Sequence, residues 1–560
     1  MWLKKHWLLV LIVILGFILR FVWITRVPPS LNWDEVSHGW NAYSILKTGQ
    51  DEWGKAFPIA NFRAYGDYPL PLNLYFTIPF IKAFGLNTLA IRLPHVLLGT
   101  LTILSSYFVF LGVTKRKDIS LLGAFFVAID PWLLFPSRFV LQSNLSVFFI
   151  TTAVALFVNG KFPLSFFAFG LTLFSYHTTR IFTPIFLLAL FIIYRRELLN
   201  FFKHKRLLGT ISLVILSVFL VPLPFVLSNP EARARANWVF LVDQSAINHI
   251  ETWRQSSKLP PKLARLLYNR PVYFVEKFAQ NYVDYFSPQF LFLNGGTQYQ
   301  FSVPGWGLLY PVNLPFFYIG LILVAWRAIK KEKAYQLVLL WLLLAPIPAS
   351  ITNEKYAVLR STSMLPIPQL LSALGVFWAV DKIARKWKVV VLAAYFLVLF
   401  GFVEKYLFNY FALYRSNYSW AWQYGYAFMV DYVKLHYKEY DRVVITKKYG
   451  EPHEFLLFYW PWDPAAYRKD SKLVRFNQSD WYWIDRFDKF YFVNDWDMPR
   501  VAGGEWRVES GETFSCAGAT RCLLVTSPGN YPSDWNKLKT IFFLDGKPVF
   551  DILSNYETKN

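Results

Sequence analysis

The sequence predicts a polytopic α-helical membrane protein that ends in a C-terminal extracytoplasmic α/β domain. Of its 560 residues, 55% are hydrophobic, 20% are aromatic and only 17% are charged, which is more apolar than an ordinary soluble domain. Long apolar runs recur along the chain as far as residue 404. From residue 411 onward the density of charge rises and no further span is found. These three observations predict a transmembrane domain, residues 1–410, followed by a second domain, residues 411–560.

Eleven apolar runs approach the length of about 20 residues that a membrane-spanning helix needs. They are residues 7–25, 89–113, 119–136, 139–158, 162–177, 180–194, 207–227, 306–326, 335–350, 362–380 and 388–404. The first run follows two lysines, but no small-residue cleavage site comes after it, so we interpret it as an uncleaved span rather than a signal peptide. The run 70–86 contains Pro71 and Pro79, and we expect a re-entrant or interfacial helix there.

Basic clusters predict the orientation in the membrane. If all eleven runs cross, six clusters fall on one side: Lys4 and Lys5, residues 115–117, Lys161, residues 195–206, residues 327–333 and residues 382–388. Because cytoplasmic loops carry an excess of Lys and Arg, this side is the cytoplasmic one. The N-terminus is then inside, and the loops 26–88 and 228–305 and the C-terminal domain lie outside the plasma membrane.

The formal charge of +22 does not indicate nucleic-acid binding. A protein that binds nucleic acid gathers its basic residues on one face or segment, whereas here they lie in short clusters between apolar runs. The expected environment is therefore the lipid bilayer.

The C-terminal domain shows strand and helix patterns. DRVVITKKYG and KFYFVNDWD predict strands that end at turn residues, and SWAWQYGYAFMVDYVKLHY predicts an amphipathic helix before the first strand. The two cysteines of the chain, Cys516 and Cys522, lie in the short segment CAGATRC. In an oxidising compartment they could form a disulfide, and two free thiols are the alternative.

Two adjacent acids, Asp34 and Glu35, directly follow the first span in LNWDEVSHGWNAYSILKTG. One interpretation is helix capping, with Asp34 as the N-cap of a helix over 35–48 that ends at Gly49. A second interpretation is chemical, because arginines stand at the predicted outer ends of several spans, where the positive-inside rule makes them rare. For any single arginine, extension of the side chain into the lipid headgroups is an equal alternative. These arginines are Arg92, Arg138, Arg180 and Arg360.

Acids and arginines at an outer membrane interface suit group transfer from a lipid-phosphate donor. The guanidinium fork binds phosphate, and a carboxylate can take a proton from an attacking hydroxyl or amine. The departing lipid phosphate requires positive charge to stabilise it. The aromatic residues Trp33, Trp40 and Tyr43 could stack on a sugar, but anchoring at the interface is the favoured interpretation for each.

The first outer loop resembles that of a known family. LNWDEVSHGWNAYSILKTGQDEWG and GDYPLPLNLYFTIPFIKAFGLNTLAIRLPHVLLGTLT resemble the C-type glycosyltransferases, the family of protein O-mannosyltransferases and lipid A aminoarabinose transferases. The resemblance continues through DPWLLFPSRFVLQSN, FSYHTTRIFTPIFLL, VPGWGLLYPVNLPFFYIGL and VLRSTSMLPIPQLL and covers residues 10–380. It implies the C-type glycosyltransferase fold and an inverting transfer of a sugar from a polyprenyl-phosphate donor to a protein, lipid or glycan acceptor at the outer face.

The resemblance also implies roles for individual residues. Asp34 matches the general base, and Glu35 would orient it, contact the acceptor or help to hold a divalent cation, the one cofactor considered. Pro69 stands where many relatives have a lysine, and Arg63 could supply that contact. The candidates for binding the donor phosphate and substrate are Arg92, Arg138, Arg180, Arg360, His177, Tyr176, Asn144, Asp67 and, in ARARANWVF of the long loop, Arg235.

Two other functions fit the sequence less well than this enzyme does. A flippase or transporter of a lipid-linked sugar would place its site near the midplane, in helices repeated in two halves, and no repeat is visible. An oligosaccharyltransferase-like enzyme would carry a Trp-Trp-Asp motif in the outer domain, which WAWQYG and DWYWID match poorly.

Overall fold

The structure, a computed structural model, describes residues 2–228, 238–478, 481–499 and 505–556. The chain forms two compact units. The helical unit comprises Met1–Val22 and His95–Phe408, and the mixed unit comprises Trp23–Pro94 and Asn409–Asn560. The first outer loop therefore belongs to the same unit as the C-terminal residues.

The helical unit is built from α-helices that pack through their apolar faces. Close approach of two of them depends on glycine: a Cβ added at Gly320 would lie 2.0 Å from the carbonyl oxygen of Leu371, and one at Gly375 would lie 1.9 Å from that of Phe316. Small residues of this kind allow helix backbones to approach closely within a membrane. The helices are Trp2–Phe21, the later part of Thr88–Thr114, Lys117–Ile129, Pro131–Leu134, Gln142–Val158, Phe162–Thr172, Thr179–Ile193, Arg195–His204, Arg206–Leu220, Leu223–Ser228, Gln244–Ser256, Pro261–Leu267, Arg270–Asp284, Leu314–Ile329, Lys333–Leu344, Ile347–Ser350, Ile367–Asp381 and Arg385–Phe408.

The helices confirm the character of a multi-pass membrane protein. In the part of the chain that the structure describes, five helices are long and apolar enough to cross a bilayer, and the pair Lys117–Ile129 and Pro131–Arg138, bent by 55°, would make a sixth. The five are Thr88–Thr114, Arg206–Ser228, Pro311–Ile329, Lys333–Ser350 and Arg385–Asn417. Further apolar helices of 10–17 residues are His6–Phe21, Leu72–Phe84, Gln142–Val158, Phe162–Thr172, Thr179–Ile193 and Ile367–Asp381. Within the described residues, five or six spans meet this criterion of length and composition, and the predicted count of eleven stays a prediction.

The mixed unit confirms the predicted C-terminal domain with strands and helices. Its helices are Trp33–Thr48, Leu72–Phe84, the first turns of Thr88–Thr114, Arg415–Asn417, Tyr426–Leu435, Pro452–Tyr459 and Pro464–Lys469. Its strands are β1 (Arg442–Thr446), β2 (Val474–Gln478), β3 (Trp481–Phe487), β4 (Phe490–Val493), β5 (Glu505–Arg507), β6 (Thr513–Ser515), β7 (Cys522–Thr526), β8 (Asn536–Phe542) and β9 (Pro548–Ser554).

Seven of these strands form one sheet in the order β2-β3-β4-β1-β7-β9-β8, and β5 pairs with β6 in a hairpin. The central strand β1 runs parallel to β4 and β7, while the outer pairs are antiparallel. β4 and β7 are buried along their whole length, as expected of parallel strands covered on both faces. The predicted strands in DRVVITKKYG and KFYFVNDWD are β1 and β4.

The helix predicted in SWAWQYGYAFMVDYVKLHY is shorter than expected. The segment starts with a 3₁₀ turn, Ser419–Trp422, and the α-helix begins only at Tyr426, because Gly425 at φ 113° interrupts the helical path. Cys516 and Cys522 form a disulfide, which decides between the two alternatives for these residues.

Candidate functional site

The acidic helix, Trp33–Thr48, begins with a capping box formed by Asn32 and Glu35. The Asn32 side chain accepts a hydrogen bond of 2.9 Å from the backbone N–H of Glu35, and the Glu35 carboxylate accepts one of 3.4 Å from the N–H of Asn32. The interpretation of Asp34 as the N-cap is therefore wrong, because Asn32 has the extended backbone of a cap and Asp34 lies inside the first turn. The predicted end at Gly49, at φ 72°, is confirmed.

Glu35 forms a fully buried ion pair with Arg92. The Nε and Nη2 of Arg92 donate to the two carboxylate oxygens at 2.9 and 2.7 Å, which is the bidentate geometry of a strong pair. The same guanidinium donates to the carbonyl oxygens of Ile24, Pro28 and Ser30 at 2.9, 3.1 and 2.6 Å. The pair therefore joins the start of the acidic helix to the segment that precedes it.

Asp34, the preceding residue in the chain, is partly exposed and contacts aromatic residues. The hydroxyl of Tyr65 donates a hydrogen bond to its carboxylate, and the Tyr65 ring stacks on Trp481 with centroids 5.6 Å apart. The backbone carbonyl of Asp34 accepts a hydrogen bond of 2.8 Å from Nδ1 of His38, and burial lowers the pKa of His38 to about 4, so that ring is neutral. Sequence reasoning missed Tyr65, because nothing in its local pattern separates it from the other tyrosines.

Asp67 and Arg63 lie in the segment that carries Tyr65. Ala64 and Asp67 exchange two backbone hydrogen bonds of 3.0 Å and so close a tight turn with Tyr65 inside it. The guanidinium of Arg63 lies over the rings of Tyr482, at 4.3 Å, and Trp53, at 4.8 Å. Asp67 thus closes the turn from which Tyr65 contacts Asp34. Arg63 makes cation–π contacts with Tyr482 and Trp53.

The helical unit contains a cationic pocket that unites four of the predicted residues. Tyr176, His177, Arg180 and Arg360 line a cavity of about 190 Å³. The other side chains of this cavity are mostly apolar and include Leu227, Val239, Phe240, Pro348 and Ile351. A pocket with two guanidinium groups among apolar side chains can bind an anion that is attached to a hydrocarbon chain.

Hydrogen bonds hold the two arginines of the cationic pocket. Arg360 donates from Nη1 to Glu354 at 2.6 Å and to the hydroxyl of Thr352 at 3.2 Å. Arg180 donates from Nε to the carbonyl oxygen of Leu173 at 3.1 Å. Glu354, which the sequence analysis did not select, therefore orients Arg360, and its pKa is raised by burial while the charge of Arg360 opposes that rise.

Arg138 and Asn144 are not among the side chains that line the cationic pocket. Arg138 is fully buried and donates to the carbonyl oxygens of Leu19, Arg20 and Val22 at 2.5, 2.9 and 2.7 Å, where the first helix ends. A cation at that position satisfies carbonyl groups that lack a partner within the helix. The amide of Asn144 donates to the carbonyl oxygen of Pro136 at 2.9 Å. Arg235 lies outside the described residues.

Comparisons with known proteins relate the chain to a family and a fold. Residues 10–230 match the family model described as dolichyl-phosphate-mannose-protein mannosyltransferase. The chain is similar to the solved structure of ArnT from Cupriavidus metallidurans bound to undecaprenyl phosphate, with a TM-score of 0.51, 13% identity and coverage of 98% of both chains. No curated protein matches the sequence.

The chain is also similar to the archaeal oligosaccharyltransferase AglB from Archaeoglobus fulgidus, solved in complex with an inhibitory peptide and a dolichol-phosphate. That likeness has a TM-score of 0.50 and 14% identity, and it covers 82% of this chain and 64% of AglB. At these identities the two structures show a shared fold. Together with the family match, they confirm the predicted resemblance to the C-type glycosyltransferases.

Proposed function

We propose that the protein transfers a sugar from a polyprenyl-phosphate-linked donor to an acceptor at the outer face of the membrane, with inversion at the anomeric carbon. The acceptor is a protein, lipid or glycan hydroxyl or amine. The observation that carries the proposal is the cationic pocket, because its two arginines stand among apolar side chains that fit the first carbons of a lipid. The undecaprenyl phosphate of ArnT and the dolichol-phosphate of AglB are ligands of the kind proposed for it.

Arg180 and Arg360 are the donor-phosphate ligands in this proposal, with Tyr176 and His177 as further contacts. A phosphate oxygen that accepts hydrogen bonds from both guanidinium groups would share its charge between them. Arg360 is already oriented by Glu354, so a ligand would meet it in a fixed position. We assign Arg138 and Asn144 to the support of the fold rather than to the phosphate. Arg138 donates to carbonyl groups at the end of the first helix, and the amide of Asn144 donates to the carbonyl oxygen of Pro136 and contacts Nδ1 of His95.

Asp34 is the general base in this proposal. The acceptor oxygen or nitrogen attacks the anomeric carbon while the carboxylate of Asp34 takes the proton of the acceptor. The bond between that carbon and the phosphate oxygen breaks, and the polyprenyl phosphate leaves with the electron pair. Tyr65 holds the carboxylate by its hydrogen bond, and the ion pair of Glu35 and Arg92 fixes the helix turn from which Asp34 projects.

The membrane arrangement is part of the same proposal. We propose that the eleven predicted runs all cross, the shorter ones by virtue of flanking residues or local thinning of the bilayer. The N-terminus then lies in the cytoplasm of a plasma-membrane protein, and the transmembrane domain 1–410 is followed by the extracytoplasmic domain 411–560. The six basic clusters support this orientation.

The test is a transfer assay with Asp34→Asn. Purified protein in membranes is given a radiolabelled polyprenyl-phosphate mannose, and the release of polyprenyl phosphate and the movement of label are measured. We expect a loss of about 10²–10⁴-fold in turnover, the usual contribution of a general base. Asp431→Asn, at an exposed position of the helix Tyr426–Leu435, is the control and should leave turnover unchanged. Normal turnover in Asp34→Asn would refute the assignment of the base.

A further inference from the structure

The mixed unit contains a buried cluster of three acids and one histidine that plays no part in the proposed transfer. Glu52 follows the acidic helix, and Glu451, His453 and Glu454 lie in the segment EPHE at the start of the helix Pro452–Tyr459. Their exposed fractions are 1%, 1%, 3% and 0%. We name these four residues the acid–histidine cluster. Acids are almost never fully buried unless they are paired or bind a metal, so the cluster requires an explanation.

The ligand atoms of the acid–histidine cluster converge. Nε2 of His453 lies 3.9 Å from a carboxylate oxygen of Glu52 and 3.9 Å from one of Glu454. One ligand atom from each of these three residues lies within 4.8 Å of the others. Two ligands bound to zinc about 2.1 Å away at a tetrahedral angle lie about 3.4 Å apart. The two contacts of His453 would therefore shorten by about half an ångström on binding an ion, and the distance between the two carboxylate oxygens by at most about 1.4 Å.

Several polar atoms of the cluster lack a hydrogen bond of ordinary geometry. They are both carboxylate oxygens of Glu454, one carboxylate oxygen of Glu451 and Nδ1 of His453, and none of them reaches solvent. A buried polar atom that lacks a hydrogen bond destabilises the folded chain unless a ligand satisfies it. Glu454 therefore stands as a fully buried carboxylate whose oxygens can still accept a ligand within the cluster.

The acids of the cluster outnumber the cationic side chains that face them, which favours the binding of a divalent cation. Three carboxylates face one guanidinium, that of Arg475, whose Nη2 lies 3.8 Å from Glu52. Lys447 is bound to Asp485 at 2.5 Å, outside the cluster. The Nε2 atom of His453 faces both Glu52 and Glu454, so an imidazole lone pair at this atom could bind an ion between the two acids.

We infer that Glu52, His453 and Glu454 bind a structural zinc ion. The mixture of one imidazole nitrogen and carboxylate oxygens favours zinc over calcium or magnesium, which prefer oxygen ligands alone. Glu451 lies 3.5 Å from Nδ1 of His453, on the far side of the ring from the other two acids, and would hold the ring in the ligating orientation. The ion would tie the segment after the acidic helix to the helix Pro452–Tyr459. This inference does not depend on the proposed transfer reaction.

Metal analysis of the full chain tests the site. The protein is purified in detergent from cells grown with zinc, dialysed without chelator and examined by inductively coupled plasma mass spectrometry. We expect about one zinc ion per chain, and its loss in Glu454→Gln and in His453→Gln. Glu439→Gln is the matched control, because Glu439 contacts His436 at 3.1 Å on the surface of the same unit, and it should keep the zinc.

Removal of zinc from the native chain tests the site through the melting temperature, without the need for a variant that folds. Stripping the native chain with EDTA should lower its melting temperature by about 5 °C or more, and zinc chloride alone should restore it with one ion bound per chain. Three results would overturn the inference: no zinc in the purified chain together with no uptake by the stripped chain, zinc that persists in both cluster variants, or preferential binding of calcium or magnesium.

Discussion

The substitution Glu35→Gln tests the role assigned to the buried ion pair. It keeps the shape of the side chain but removes the charge, so Arg92 remains buried without a counter-ion. Breaking a buried pair by removing one partner costs about 3–5 kcal/mol. The amide introduced by the substitution can still accept one hydrogen bond, and the three carbonyl contacts of Arg92 persist, so the lower figure applies. We expect a loss of about 3 kcal/mol from the free energy of unfolding of the mixed unit.

The assay is thermal unfolding of the detergent-purified protein, followed by tryptophan fluorescence. For a unit of this size, each kcal/mol shifts the melting temperature by about 2–4 °C, so the transition of the mixed unit should fall by about 6–12 °C. Glu197→Gln is the control. It removes a pair with Lys333 that has the short distance of 2.5 Å but is 45% and 39% exposed, and should cost less than about 1 kcal/mol.

A double variant measures the interaction between Glu35 and Arg92 themselves. Arg92→Met in the Glu35→Gln background removes both partners, and the double variant should be more stable than the sum of the single losses predicts. If Glu35→Gln shifts the transition no more than Glu197→Gln does, the pair does not hold the start of the acidic helix, and our account of how Asp34 is positioned is refuted.

Two further predictions concern the proposed reaction. Tyr65→Phe removes the hydrogen bond to the carboxylate of Asp34, and we expect turnover in the transfer assay to fall by about 10-fold with a change in stability below about 1.5 kcal/mol, while an unchanged rate would argue against a positioning role. Arg180→Ala should weaken the binding of undecaprenyl phosphate, measured by titration in detergent, by about 10-fold or more, whereas Arg206→Ala, at an exposed helix end, should not; equal affinities would exclude Arg180 as a phosphate ligand.

Prediction from sequence succeeded where the information is local. The apolar runs became helices, and the alternating and apolar segments around residues 442–446 and 490–493 became strands, because hydrophobic pattern and period decide element type. Gly49 ended the acidic helix as predicted. The structure places Tyr176, His177, Arg180 and Arg360 in one cavity, and their role as substrate ligands stays a prediction.

The prediction of the N-cap was wrong because two neighbouring residues could both fill this position. Asn32 and Asp34 are both good N-caps, and Asn32 caps the helix because Glu35 stands three residues after it and completes the box. Nor does a sequence tell which buried arginine lines a cavity. Arg92, Arg138 and Arg180 all stand at predicted outer ends of spans. The guanidinium groups of Arg92 and Arg138, however, donate to carbonyl oxygens of segments far away along the chain.

By itself, the sequence determined that this is a helical membrane protein with a C-terminal sheet domain, because burial in lipid and pairing in a sheet impose periods that can be read along the chain. Tertiary structure alone decided which charged groups meet. Glu52 and the EPHE segment are separated by most of the chain, and only folding brings His453 within 3.9 Å of Glu52. Electrostatic interactions act through space, so the partners of a buried charge are set by the packing of distant segments and not by their order in the sequence.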